Sequence, residues 1–171
     1  MKNWLACIAL AALPSLAADA ASVEQLRFLV GSWNSVPGAD AVLGHTGFRL
    51  EVKGHVMVRD NRADYPAAAG KPPVSHEDLM VIYAEGSGPL KAIYFDNEGH
   101  VIRYTAAALD AKSVTFVSDP VAGQPRFRLT YAASAPDRLS GEFASAPPDA
   151  PGKFKPMFTW DLRKVDVPAL H

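Results

Sequence analysis

Three residues that could carry acid–base chemistry lie close together in the sequence: Asp96, His100 and Tyr104. The first two flank the segment Asn97-Glu98-Gly99, and Asp-Asn-Glu-Gly is a favourable sequence for a tight turn. Across such a turn the Asp96 carboxylate could orient the His100 imidazole as a general base. The turn chemistry alone accounts for these residue types, so we expect a hairpin here. A small isomerase or hydrolase that uses this hairpin is kept as an alternative function.

Other catalytic and metal-binding patterns are weak. The chain has no Gly-x-Ser-x-Gly, His-Glu-x-x-His or phosphate-binding loop motif. His76-Glu77-Asp78 could offer ligands to a metal ion, but the same triplet is typical of a solvated strand start, and no spaced ligand cluster accompanies it. We therefore predict no metal site.

Composition and charge narrow the classes of function. The 171 residues include 17 basic and 18 acidic side chains, for a net charge of −1. This balance lacks the basic surface that nucleic acid or an anionic membrane would require, so neither is an expected partner. Fourteen prolines and twelve glycines break the chain into short pieces, which favours a turn-rich β protein over a helical bundle.

The first twenty residues have the pattern of a secretory signal peptide. Lys2 precedes an apolar run over 4–16, and the small-residue triplet Ala18-Asp19-Ala20 predicts cleavage after Ala20. The apolar run is too short for a bilayer core, which needs about twenty residues, so no membrane anchor is expected. The sequence thus predicts a periplasmic or secreted protein with a single domain over 21–171. Its only cysteine, Cys7, would leave with the signal, which excludes disulfides and thiolate sites.

The mature chain reads as one short helix followed by strands. Val23, Leu26 and Val30 share a face of a helix that begins after Ser22 and ends at Gly31. Extended segments follow at 45–53, 55–62, 78–84, 90–96, 100–108, 112–118, 126–133, 138–144 and 153–164. Strands at this spacing without intervening helices predict an all-β fold, an antiparallel up-and-down β-barrel of about nine or ten strands.

Two middle segments are apolar on both faces, unlike the alternating segments around them. They are 79–84 and 90–96. A strand of this kind needs a cover on its outer face, which could be the short helix, a terminal segment or a second subunit. A homodimer through this outer face is therefore a possible assembly.

Two motifs give the chain a family resemblance. Phe28-Leu29-Val30-Gly31-Ser32-Trp33 resembles the Gly-x-Trp opening of lipocalin-like barrels, and the run 93–104 resembles a hairpin of bacterial lipocalin-like domains of unknown function. These domains belong to the calycin superfamily and lie near the nitrobindin-type barrels. The resemblance implies a barrel closed at one end by Trp33, with a small apolar ligand in its mouth. It also implies an arginine stacked over the Trp33 ring, for which Arg163 is the first candidate, ahead of Arg126 and Arg128.

Strand alternation then selects the side chains that could line a ligand-binding interior. These candidates are Trp33, Phe48, Tyr83, Tyr94, Tyr104, Phe127, Tyr131, Phe143, Phe158 and Trp160.

The nitrobindin resemblance implies a heme-binding alternative. His55 and Met57 share a strand face and could supply nitrogen and sulfur ligands, and Tyr83, Tyr94 or Tyr104 could supply a phenolate. The late-barrel histidine implied by that family has no counterpart, because 112–165 contains no histidine. Heme therefore stays an alternative, and no other cofactor is predicted.

Overall fold

Ten antiparallel strands form one closed barrel. The structure, a computed structural model, describes residues 20–36, 42–68 and 70–165. The strands are β1 (Gly31–Ser35), β2 (Leu43–Glu51), β3 (Val56–Tyr65), β4 (Val74–Tyr83), β5 (Lys91–Asp96), β6 (Val101–Leu109), β7 (Ser113–Ser118), β8 (Arg126–Ala135), β9 (Arg138–Ala146) and β10 (Lys155–Val165). Each strand pairs with its sequence neighbours, and β1 pairs with β10 to close the ring. The predicted up-and-down barrel is confirmed.

The N-terminal helix is a 3₁₀ helix, Val23–Leu29. Ser22 caps it: its hydroxyl accepts from the backbone N–H of Glu24, while the Gln25 side chain accepts from the N–H of Ser22. A 3₁₀ helix has three residues per turn, so its buried face carries Val23, Leu26 and Leu29. The expected place of Val30 on this face was wrong for that reason. No helix in the described residues is long and apolar enough to cross a bilayer.

The helix covers one end of the barrel, which we call the closed end. Its three apolar side chains join the core, and the Trp33 indole N–H donates to the Leu29 carbonyl oxygen at 2.8 Å. Lys164, not Arg163, supplies the cation: its Nζ lies 5.2 Å from the centre of the Trp33 ring, because Lys164 is the residue paired with Trp33 across β1 and β10. Gly31 has φ +137°, and a side chain there would meet Lys164.

Side chains fill the half of the interior nearest the closed end. Inward-facing residues of all ten strands are almost completely buried there and contact one another in one cluster. They are Trp33, Phe48, Met57, Met80, Ile82, Ala92, Tyr104, Val114, Phe116, Leu129, Tyr131, Leu139 and Leu162. Small barrels are commonly filled by their own side chains in this way, and here the inward-facing side chains that are more exposed lie towards the opposite end. The opposite end is called the mouth, and the loop residues 66–68, 70–73, 97–100, 119–125 and 147–154 lie there.

The outer face of β4 to β6 carries an apolar row. Leu79, Phe95 and Val101 are aligned in register across three strands, and each is exposed. The short helix lies at the closed end and does not cover this row. Tyr83 also faces outwards, since Ile82 beside it is buried in the core. Its prediction as a lining residue was therefore wrong.

Two strand boundaries differ from those predicted. The strand that contains Trp33, β1, was not among the predicted extended segments, and β4 begins at Val74 rather than at 78. The predicted signal peptide falls almost entirely on residues 1–19, which lie outside the described residues.

Candidate functional site

A buried ion pair stands at the base of the mouth. Strand alternation places Arg59 on the inward face of β3 and Asp78 on the inward face of β4, because Met57 and Met80 of the same strands are core residues. The Arg59 Nη2 donates to both carboxylate oxygens of Asp78, at 2.7 and 2.9 Å. Only 7% of the Arg59 side chain and 3% of the Asp78 side chain are exposed. Two opposite charges are thus held inside the barrel, directly above its apolar core.

Neutral polar side chains extend this pair along the inner wall. The Asn61 amide donates to Asp78 Oδ2 at 2.8 Å, and the Thr46 hydroxyl donates to Asn61 Oδ1 at 2.6 Å. Both residues face inwards from β3 and β2, where they are paired in register. The buried carboxylate is therefore hydrogen-bonded as well as paired, which is what a buried charge requires.

Arg59 crosses the barrel and forms the base of the mouth. Its Cζ lies 5.8 Å from the centre of the Tyr131 ring on β8, and β8 is opposite β3 in the ring of ten strands. Burial raises the pKa of Tyr131 to about 12, so its phenol stays protonated at neutral pH. The Arg59 Nε is buried and has no acceptor among the described residues.

A second group of polar residues continues from Asp78 to the rim of the mouth. The His76 Nε2 lies 3.4 Å from Asp78 Oδ2 and 3.1 Å from the Tyr94 hydroxyl. That hydroxyl donates to Asp96 Oδ2 at 3.2 Å, and the same oxygen lies 2.8 Å from His100 Nδ1. A continuous polar network therefore runs from the exposed His100 to Arg59. It comprises Arg59, Asp78, Asn61, Thr46, His76, Tyr94, Asp96 and His100.

Asp96 and His100, at the rim of the mouth, shift each other's pKa. Burial disfavours the charged form of Asp96, but hydrogen bonds from the backbone N–H and ring of His100 outweigh it, so the pKa of Asp96 lies below its usual value. The Asp96 carboxylate raises the pKa of His100 through a hydrogen bond and charge attraction. Burial, reinforced by the charges of Asp78 and Asp96, raises the pKa of the Tyr94 phenol. At neutral pH Tyr94 is therefore a hydrogen-bond donor and not a phenolate.

Aromatic side chains line the opposite side of the mouth. Phe127 and Phe143 stack with ring centres 5.5 Å apart, and Phe143 and Phe158 stack at 6.4 Å. Trp160 extends this aromatic wall inwards and meets Tyr131 edge to face at 6.1 Å. Phe158 faces inwards, paired with Phe143 across β9 and β10, yet 57% of it is exposed. The mouth is therefore open to solvent beside an apolar surface.

A glycine makes room for the inner part of this wall. Gly141 pairs with Trp160 across β9 and β10, and a methyl group built on Gly141 would overlap the indole ring. The absence of a side chain lets the ring of Trp160 lie against the strand backbone.

Two concavities lie at the mouth end but outside the barrel. One, of about 460 Å³, is lined mainly by outward-facing residues such as Asp60, Leu79 and Phe95. The other, of about 320 Å³, lies near Asn34 and Leu43. Residues of the aromatic wall line neither concavity.

The structure brings together only some of the predicted site residues. Asp96 and His100 form the expected pair, whereas Tyr104 is buried in the filled half of the interior, apart from them. Four predicted lining residues likewise belong to the filled half and contribute no open surface: Trp33, Phe48, Tyr104 and Tyr131. Those at the mouth are Tyr94, Phe127, Phe143, Phe158 and Trp160.

The predicted heme ligands do not share a site. His55 lies in the turn between β2 and β3 at the closed end and is exposed, whereas Met57 is fully buried in the core. Since His55 precedes the first residue of β3, strand alternation does not apply to it. The prediction that the two side chains share one face was therefore wrong.

Arg59, Asn61 and Thr46 were not predicted as site residues. A signal was present, because a spacing of two puts Arg59 and Asn61 on the face of Met57, and Asp78 on the face of Met80. Charged residues on a core face are rare and need partners. That Arg59 meets Asp78 follows only from the register of β3 and β4.

No family model matches the chain, and no curated protein shows significant similarity to it. Its function is therefore argued from the geometry of the mouth.

Proposed function

We propose that the protein is an exported, lipocalin-like barrel that binds a small, mainly apolar molecule in its mouth. The observation that carries this proposal is Phe158, an inward-facing aromatic side chain that is more than half exposed. Burying exposed apolar surface contributes about 25 cal/mol per Å². A ligand that covers Phe158 would gain this free energy without displacing any core side chain.

The arrangement of the mouth limits the shape of the ligand. Phe127, Phe143 and Phe158 form a stack whose neighbouring rings lie within 17° of parallel. Phe158, at the end of this stack, is the most exposed of the three, so a further flat ring would continue the stack there. Stacking of aromatic rings contributes about 0.5–1.5 kcal/mol beyond area burial. A flat molecule that lies along the aromatic wall, with its polar edge towards Asp78 and Tyr94, matches both sides of the mouth.

Fluorescence titration with N-phenyl-1-naphthylamine tests this proposal, because the probe is apolar and brightens when it leaves water. We expect binding by the wild type and about tenfold weaker binding by Phe158→Ala, which corresponds to about 1.4 kcal/mol. Leu43→Ala is the control, since Leu43 is 62% exposed but faces outwards on β2 and lies outside the apolar row of β4 to β6. Equal affinity of the two variants, or no binding by the wild type, would overturn the proposal.

We also propose a homodimer through the outer face of β4 and β5. Its support is the exposed apolar row of Leu79, Phe95 and Val101. Exposed contiguous apolar surface often marks a protein interface. Light scattering after size exclusion should give twice the chain mass for the wild type and the single mass for Phe95→Glu; a monomeric wild type would refute the dimer.

Export is proposed from the N-terminal sequence pattern. The expected mature chain begins at Ala21, directly before the Ser22 cap of the helix. N-terminal sequencing of protein recovered from each cell fraction tests this. Recovery of an uncleaved chain from the cytoplasm would contradict it.

A further inference from the structure

We infer that the ligand of the mouth carries a neutral hydrogen-bond acceptor, such as a ketone or amide carbonyl, which binds the guanidinium of Arg59. This inference rests on the proposed function and specifies the polar group of its ligand. It depends on the unused donors of Arg59, on the carboxylates around it and on its contact with Tyr131, which touches Trp160 of the aromatic wall.

The guanidinium has donors to spare. Arginine carries five N–H donors, and the hydrogen bonds from Arg59 to Asp78 use Nη2 alone. The buried Nε has no acceptor among the described residues. A buried donor without a partner is costly, so an incoming acceptor gains the full benefit of satisfying it.

The surrounding charges favour a neutral acceptor over an acid. Asp78 already neutralises Arg59, and Asp96 places a second carboxylate on the same wall of the mouth. The third ionisable neighbour, the Tyr131 phenol, is protonated at neutral pH. A carboxylate ligand would therefore add a negative charge beside these two carboxylates and would find no unpaired cation in the described polar network, since Arg59 is paired with Asp78 and His100 with Asp96. A carbonyl oxygen accepts the same hydrogen bond without this repulsion.

The position of Arg59 fits a ligand held by the aromatic wall. Arg59 lies over the Tyr131 ring, and that ring is in edge-to-face contact with Trp160. Trp160 and Phe158 are inward-facing neighbours on β10. A flat molecule stacked on these two rings therefore directs its inner end towards the guanidinium.

Three fluorescent naphthalenes that share one apolar body test the inference. They are 2-dimethylaminonaphthalene, its 6-propionyl ketone and its 6-carboxylate. We expect the ketone to bind the wild type about tenfold more tightly than the parent compound, and the carboxylate to bind less tightly than the ketone. Emission of the ketone should also shift to longer wavelength than in a dry apolar site, since its carbonyl accepts a hydrogen bond.

The variant that isolates Arg59 is the double substitution Arg59→Met with Asp78→Leu, which removes the ion pair without leaving a lone buried charge. We expect it to bind the parent compound as the wild type does but to lose the tenfold advantage of the ketone. Arg62→Met is the matched control, since Arg62 faces outwards on the same strand and pairs with Asp64. If the double variant does not fold, Arg59→Lys supplies the test, because it keeps the charge and loses the planar donor set.

The outcomes separate the two proposals. No binding of any probe would overturn the proposed function. Binding of the parent compound with no ketone advantage, or an advantage that survives in the Arg59 variants, would overturn this inference alone. If the carboxylate bound most tightly of the three probes, the inference that the ligand carries a neutral acceptor would be wrong.

Discussion

Asp78→Asn is the substitution that tests the buried ion pair most directly. It keeps the size and one oxygen of the side chain, so packing at the base of the mouth is little changed. It removes the negative charge that faces Arg59, whose side chain is 7% exposed. The guanidinium then remains buried and charged without a counter-ion.

The magnitude follows from the depth of this pair. Removing one partner of a buried ion pair typically costs about 3–5 kcal/mol. The retained amide oxygen of the variant can still accept one of the two hydrogen bonds from Arg59, so we expect a loss near the lower limit, about 3 kcal/mol. For a chain of this size, that loss lowers the midpoint of thermal unfolding by about 6–12 °C.

Urea denaturation at neutral pH measures the loss, and Asp60→Asn is the control. Asp60 pairs with Arg49 on the outer face, where both side chains are about half exposed, so its loss should cost at most about 1 kcal/mol. Adding Arg59→Met to Asp78→Asn should restore much of the stability, because no buried charge then remains. A loss for Asp78→Asn no larger than that of the control would refute the buried pair.

Two further substitutions test the walls of the mouth. Gly141→Ala should destabilise the barrel by about 1–3 kcal/mol and alter the fluorescence of Trp160, because the new methyl overlaps the indole. Gly152→Ala is the control: open space surrounds this glycine, so neither the stability nor the fluorescence should change. Equal effects of the two substitutions would contradict the contact between Gly141 and Trp160. Asp96→Asn should lower the pKa of His100 towards its usual value of about 6.5, as measured by NMR titration. In the wild type this pair stabilises the fold only while both groups are charged. Its contribution is lost as pH falls through the depressed pKa of Asp96 and as pH rises through the raised pKa of His100. An unchanged His100 titration in Asp96→Asn would contradict the coupling.

The barrel itself could be predicted because its signals are local. Turn residues separate the strands, and alternation correctly places Phe127, Leu129 and Tyr131 on the inward face of β8. Tyr83 was misplaced because both faces of its strand are apolar, so hydrophobicity carried no information about direction. The helix face was misjudged at Val30, since sequence alone does not distinguish a 3₁₀ helix from one turn of α-helix.

The site could be predicted only where its residues are close in sequence. Asp96 and His100 are four residues apart across a turn, so their pairing follows from the turn alone. Arg59 and Asp78 are nineteen residues apart on adjacent strands, and they meet only because β3 and β4 pair in one register. A shift of one residue would turn the aspartate to the outer face and leave the guanidinium alone in the core.

The seam between β1 and β10 has a kinetic consequence. Nine of the ten strand pairings in the described chain join consecutive strands, whereas the seam pairs Ser32 with Val165. Bringing such distant segments together has a large loop-closure entropy, so hairpins should assemble early and the ring should close last. Interactions formed after the folding transition state govern how fast a protein unfolds. Lys164→Ala, which removes the cation over Trp33, should therefore speed unfolding while leaving the folding rate almost unchanged. The lifetime of the folded barrel would then depend on this short seam, rather than on the strands that carry the mouth.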